Sequence, residues 1–120
     1  MVTSNKGIVM SASLLAQAKW ATAALAFAIV TVATPAFAET ITVTIENLSF
    51  KPADVQSKVG DTIVWVNKDV VDHTATARDK SFDIVQPAKK SVSQTLTKAG
   101  SFDYYCRYHP NMTGRLTVEP

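Results

Sequence analysis

From Thr40 onward the chain reads in twos. Residues Thr40 to Glu46 alternate without a break, Ile41, Val43 and Ile45 against Thr40, Thr42 and Thr44, which is the period of a strand with one face buried. Leu48 and Phe50 keep the two-residue spacing with parity shifted by one, which predicts a bulge or bend ahead of Lys51-Pro52. Further short runs lie at Val55 to Val59, Thr62 to Asn67, His73 to Ala77, Val92 to Leu96 and Ser101 to Cys106, and Leu116 with Val118 marks a closing strand. Gly60-Asp61 and Ala99-Gly100 supply turn signals between them. No segment after Glu39 carries a helical period. About seven short strands spaced by turns predict an all-β fold, a Greek-key antiparallel β-sandwich, with Trp65, Phe102 and Tyr104 in its core.

The first 38 residues are of another kind. Lys6 and Lys19 are their only charges, the stretch from Trp20 to Ala33 is mostly apolar, and Ala36-Phe37-Ala38 has the small-x-small pattern that a signal peptidase cleaves. This predicts a signal peptide over residues 1–38, with Met10 as an alternative start, and a domain of residues 39–120 exported to the periplasm. A retained anchor is the competing reading, against which stands an apolar core of 14 residues, where a membrane span needs about 20. Loss of the two lysines leaves ten basic against ten acidic residues in the domain. A formally neutral domain without a charge run or a basic aromatic stripe gives no support to a nucleic-acid or anionic-lipid partner.

A chain of 82 residues from Glu39 onward makes one modest core, at the size where a disulfide or a metal commonly secures the fold. Cys106 is the only cysteine, so no internal disulfide can form, and a thiol in an exported protein is open to oxidation unless something occupies it. His109 and Met112 follow it as Cys-x2-His-x2-Met, and His73 lies upstream behind a strand. Two imidazoles, a thiolate and a thioether are the donor set of a trigonal His2Cys copper site with a weak axial Met, which suits both Cu(I) and Cu(II). Phe102, Tyr104 and Cys106 share a strand face by parity, so the thiol points where the aromatics point. Asp69, Asp72, Asp79 and Asp83 lack the spacing and glycine of a calcium loop. Nothing in the chain pairs a nucleophile with its base or forms a phosphate loop, so neither an enzyme nor a small-molecule substrate is expected.

With those residues in view the chain resembles the cupredoxin, or blue-copper, family, and within it the amicyanin branch. Plastocyanins and pseudoazurins space their loop as Cys-x2-His-x4-Met, whereas Cys106, His109 and Met112 have the shorter amicyanin spacing. Gly60 to Asn67 ahead of His73, and Ala99 to Cys106 ahead of the loop, are similar to the family's framing segments. The resemblance implies a monomeric carrier of single electrons between a protein donor and a protein acceptor. It also implies that His109 is the ligand nearest the surface, with Tyr108, Pro110, Val70 and Val71 forming an apolar rim for transient docking. Asn67 would hold the ligand loop and the Thr74 N–H would bond the sulfur. Arg107, Tyr108 and Asn111 stand where amicyanins carry Thr, Pro and Phe, so the resemblance leaves open whether methylamine dehydrogenase, the partner of amicyanins, is a partner here. Two other functions fit the same residues: a periplasmic copper chaperone or scavenger, and a metal-free β-sandwich interaction module.

Overall fold

The computed structural model describes residues 23–120. Residues 1–22, most of the expected signal segment, lie outside the described residues, and residues 23–34 carry no helix or strand. No helix among the described residues is long and apolar enough to cross a membrane. The compact unit is Pro35–Pro120. Its strands are β1 (Thr40–Glu46), β2 (Ser49–Lys51), β3 (Asp54–Lys58), β4 (Thr62–Asn67), β5 (His73–Ala77), β6 (Asp83–Gln86), β7 (Ser91–Thr95), β8 (Gly100–Tyr105) and β9 (Thr113–Glu119). They form two sheets, ordered β2-β1-β4-β7 and β3-β9-β8-β5-β6.

The expected sandwich is therefore present, with two features that alternation could not reveal. Five neighbouring pairs run antiparallel, but β1 with β4 and β3 with β9 run parallel. β2 turns back along β1 and β3 joins the opposite sheet, so the chain re-enters the first sheet at β4 in the direction of β1. Side-chain parity is the same for either direction, which is why the sequence is silent on it.

The parity shift at Leu48 is a hairpin and not a bulge. Asn47 and Leu48 form a two-residue turn with φ of 52° and 59°, the left-handed pair that matches strand twist in tight hairpins. Ile45 then faces Phe50 across the ladder, and both are buried. β6 had no counterpart in the sequence reading, although Phe82 and Ile84 hold the two-residue spacing. Its partner β5 is buried at all five positions, because its outer face is covered as well as its inner one.

Trp65, Tyr104 and Phe102 are core residues as expected, with exposures of 0%, 0% and 7%. Phe50, Trp65 and Tyr104 meet edge to face at centroid distances of 4.9 to 6.0 Å. Such pairs contribute about 0.5–1.5 kcal/mol each beyond the area they bury. The Trp65 Nε1–H donates to Gln94 Oε1 at 3.1 Å, so the ring is buried without leaving a polar atom unpaired. The Tyr104 ring ends against Gly114, where an added Cβ would lie 2.3 Å from Tyr104 Cζ and 2.7 Å from the Ala53 carbonyl oxygen. Gly114→Ala is expected to lower stability by about 1–3 kcal/mol through overpacking, read as a fall in the midpoint of urea unfolding with the slope unchanged.

Candidate metal centre

The site is built from one strand start and one loop. β5 opens with His73, and the chain leaves β8 at Cys106 to enter the loop that ends at Met112. Three backbone bonds fold that loop: Cys106 N–H to the Met112 carbonyl (3.0 Å), His109 N–H to the Cys106 carbonyl (3.3 Å) and Met112 N–H to the His109 carbonyl (2.9 Å). Two successive turns of three residues thus bring Cys106, His109 and Met112 back toward one side, which is what the x2-x2 spacing accomplishes. Nδ1 of His73 lies 3.8 Å from Cys106 Sγ, and Nδ1 of His109 lies 3.7 Å from it. One donor atom from each of the three residues falls within a sphere of 4.8 Å mutual separation. His73 and Cys106 are fully buried, Met112 is 4% exposed on the same loop, and His109 is half-buried.

These distances fit a trigonal metal site. Bonds of about 2.0–2.3 Å from a first-row metal to nitrogen and sulfur, meeting at about 120°, separate the donors by roughly 3.8 Å. The imidazole rings stand 5.0 Å apart and 58° inclined, each turning Nδ1 toward the sulfur. Sulfur with two imidazoles suits copper in both of its common oxidation states.

A carboxylate that sequence reading passed over sets the orientation of His73. Asp69 Oδ2 lies 2.8 Å from His73 Nε2, and the same carboxylate accepts the N–H groups of Asn47 (2.8 Å) and Leu48 (3.1 Å). Partial burial raises the carboxyl pKa, but these donors outweigh it and hold it below the ordinary carboxylate value. An ionised acceptor at Nε2 keeps the proton there and leaves Nδ1 bare for a metal. Asn67 does not reach the Cys106–Met112 loop that it was expected to hold; it ties the loop ahead of His73 to the end of β6 instead, its Nδ2 donating to the carbonyls of Val71 (2.8 Å), Gln86 (3.0 Å) and Pro87 (3.3 Å) and its Oδ1 accepting from the Asp69 N–H (2.9 Å).

The sulfur accepts the Thr74 N–H at 3.3 Å, as expected. Thr74 also holds the loop by its side chain, accepting the Arg107 N–H at 2.8 Å. Thr76 donates to Asp83 at 2.7 Å, so the 3.0 Å contact between the two hydroxyls is a bond from Thr74 to Thr76. Asp83 closes the ring by pairing with the Arg107 guanidinium through two contacts of 3.1 Å. This network covers the outer face of β5. The hydroxyl of Thr76 and then the guanidinium of Arg107 depress the Asp83 pKa. Gln86, opposite His73 in the β5–β6 ladder, is fully buried with no partner for either atom of its carboxamide. No pattern marked Asp69, Asp83 or Gln86 in the sequence: Asp69 lies only four residues before His73 but is an ordinary loop aspartate until the Asn47-Leu48 turn meets it, and Asp83 reaches Arg107 from 24 residues away.

A buried thiolate-imidazole cluster at one end of a two-sheet β-sandwich, with a methionine closing its loop, defines a type 1 copper protein. The model of the cupredoxin-like domain matches residues 19–118, and the chain belongs to that family. Amicyanin of Paracoccus denitrificans is 29% identical over 85 residues, 66% of this chain and 65% of the relative, so the match spans just under two thirds of that protein. The crystal structure of amicyanin from Paracoccus versutus is 32% identical with a TM-score of 0.58, covering 72% of this chain and 85% of that one. A Cu(I) structure of an amicyanin variant is 28% identical with a TM-score of 0.60, over 67% and 82% of the two chains.

Removal of the carboxylate in Asp69→Ala frees the His73 ring and releases the Asn47-Leu48 turn. Metal affinity is expected to fall about 10- to 100-fold, read by competition with a chelator of known affinity. The Asp83 anchor has a pH signature of fixed sign. A carboxylate with a depressed folded-state pKa contributes stability above its unfolded value of about 3.8, and loses it as pH falls through the folded value. Metal release in acid should therefore begin at a higher pH in Asp83→Asn than in the unsubstituted protein, followed by loss of the metal's visible absorption.

Proposed function

We propose that the protein is a periplasmic blue-copper electron carrier, exported by cleavage of residues 1–38, in which His73, Cys106, His109 and Met112 would hold a copper ion. The observation that carries this reading is the convergence of two imidazole Nδ1 atoms on one buried sulfur at 3.7 and 3.8 Å. Likeness to amicyanin, whose solved structures include a Cu(I) form, supports it. Bound copper supplies one-electron chemistry by cycling between Cu(I) and Cu(II).

The chain's own part is to hold the donors, exclude water and present a contact face. His73 is held by Asp69, and the sulfur is desolvated and bonded by Thr74, so neither donor must reorganise greatly between oxidation states. His109 is the one nitrogen donor at the surface. Around it lie Leu48 (51% exposed), Val70 (79%), Val71 (43%) and Tyr108 (50%), with Leu48 and His109 common to the two shallow clefts there. Such a rim gives a small, dry, short-lived contact of the kind electron carriers make with a protein donor or acceptor. Nothing in this arrangement positions a small molecule for reaction.

The test is the copper-titrated exported protein beside Cys106→Ser. An intense blue absorption with narrow copper hyperfine splitting, lost in the variant, is the expected result. Retention of copper through repeated oxidation and reduction against a chelator separates a carrier from a copper chaperone, which would give the metal up. In Val70→Glu the electron self-exchange rate between reduced and oxidised protein should fall about tenfold as like charges meet face to face, with little change in the absorption spectrum. Colourless copper binding would remove the carrier assignment.

A further inference from the structure

The fold begins at the residue that the cleavage pattern would make the N-terminus. Ala36, Phe37 and Ala38 are exposed and belong to no strand, Phe37 with 79% of its surface open. Glu39 is tied into the domain by both of its backbone polar groups. Its carbonyl accepts the Thr62 N–H at 2.9 Å, and its nitrogen lies 2.8 Å from Asp61 Oδ1. Asp61 is only 1% exposed, in the turn between β3 and β4, and its other oxygen accepts the Lys58 N–H at 2.8 Å. The two backbone N–H groups, and Lys58 nearby, hold its pKa below the ordinary carboxylate value, but no cation among the described residues is bonded to it.

We propose that Asp61 is the receiver for the α-ammonium group released when the Ala38–Glu39 peptide bond is hydrolysed, so that export processing itself tightens the fold. The inference rests on the export reading above. In the hydrolysis, catalysed by a signal endopeptidase, the C–N bond breaks and water divides across it. The hydroxyl joins the Ala38 carbonyl carbon and a proton joins the Glu39 nitrogen. Transfer of the new acid's proton to the amine leaves a carboxylate on the departing segment and an ammonium on Glu39.

No rearrangement is needed, because the nitrogen is already in place. What changes is its charge: a neutral N–H···O bond becomes a charge-assisted one, roughly twice as strong. The surrounding cleft is lined by Glu39, Gln56, Ser57, Lys58, Asp61 and Glu119. Three carboxylates thus share it with the single ammonium of Lys58, and the new terminus reduces that imbalance. The start of β1 lies beside the start of β4, Thr40 opposite Thr62, at the end of these strands away from the metal centre.

The experiment uses the full chain, exported with its own leader, in four forms: unsubstituted, with one alanine inserted between Ala38 and Glu39, with Asp61→Asn, and with both changes. The insertion displaces the ammonium by one residue, about 3.3–3.8 Å, and restores a neutral amide at Glu39. Cleavage stays after Ala38, because a cut one residue later would place Phe37 where a small residue is needed. Intact mass is expected to show Glu39 as the first residue of the unsubstituted protein.

Thermal unfolding is expected to show the insertion lowering Tm by about 4–8 °C with Asp61 present, and by far less in Asp61→Asn. The difference should shrink as pH rises. An α-amine ordinarily titrates near about 7.7–8.0, and the carboxylates of Asp61, Glu39 and Glu119 raise that value while Lys58 opposes them. The stabilisation is complete below the ordinary value and is lost as pH climbs through the raised one. Equal losses in both backgrounds would overturn the clamp and leave the export reading standing. A protein that retains residues 1–38, or begins elsewhere, would overturn both. Should Asp61→Asn fail to fold, the α-amine of the unsubstituted processed protein is titrated by NMR, and a value at or below the ordinary range overturns the clamp.

Discussion

One carboxylate joins the parts that must agree for the metal centre to form. Asp69 accepts from His73 and from two consecutive amides of the β1–β2 turn. Those amides point the same way only because Asn47 and Leu48 both have positive φ, a conformation uncommon for any residue with a side chain and more so for leucine. Two adjacent N–H groups in such a turn form a small anion-binding concavity, and Asp69 fills it. The carboxylate thereby fixes a strained hairpin, the loop that carries Val70 and Val71, and the tautomer of a buried histidine. Each of the three makes the others more favourable, since a carboxylate already held by two amides costs less to orient toward an imidazole.

The other half of the centre is held by a different device. The loop from Cys106 to Met112 closes on itself by its own backbone bonds and is fastened to β5 by Thr74, Thr76, Asp83 and Arg107. These groups lie on the outer face of β5, while His73 lies on its inner face. The strand is therefore clamped between the two halves of the donor set, which accounts for its burial at every position. Donors held by the domain's own hydrogen bonds would rearrange little between oxidation states, and that is the condition for an ion that must be acceptable in both.

What the sequence disclosed and what it withheld divide along a physical line. The donors were legible because their chemistry resides in residue type and short spacing: Cys106, His109 and Met112 recur at the step of a three-residue turn, and parity turned the thiol inward with Phe102 and Tyr104. The Thr74 assignment followed from the family resemblance and matches its bond to the sulfur, whereas Asn67 fastens the loop ahead of His73 and not the Cys106–Met112 loop. Asp69 was illegible because an aspartate in a polar loop is ordinary, and its role depends on a turn 22 residues earlier. Asp83 reaches the loop from 24 residues upstream of Arg107, with the same consequence. The parallel pairings and the hairpin at Asn47-Leu48 were hidden because alternation records which face a residue takes, and not the direction or partner of its strand.

The same hydrogen bonds determine how the molecule meets others. Charged groups of the loops and strands that build the centre are committed within the domain: Asp69 to three donors, Asp72 to the Ala88 N–H, and Asp83 with Arg107 to each other. The large apolar groups presented around the histidine are Leu48, Val70, Val71 and Tyr108. With formal charge balanced across residues 39–120, long-range attraction contributes little to finding a partner, and added salt screens little that matters. On the carrier reading proposed above, recognition would rest on the fit of a small apolar surface, which binds weakly and releases quickly. That trade suits a carrier, because a longer-lived complex would hold it after the electron had passed.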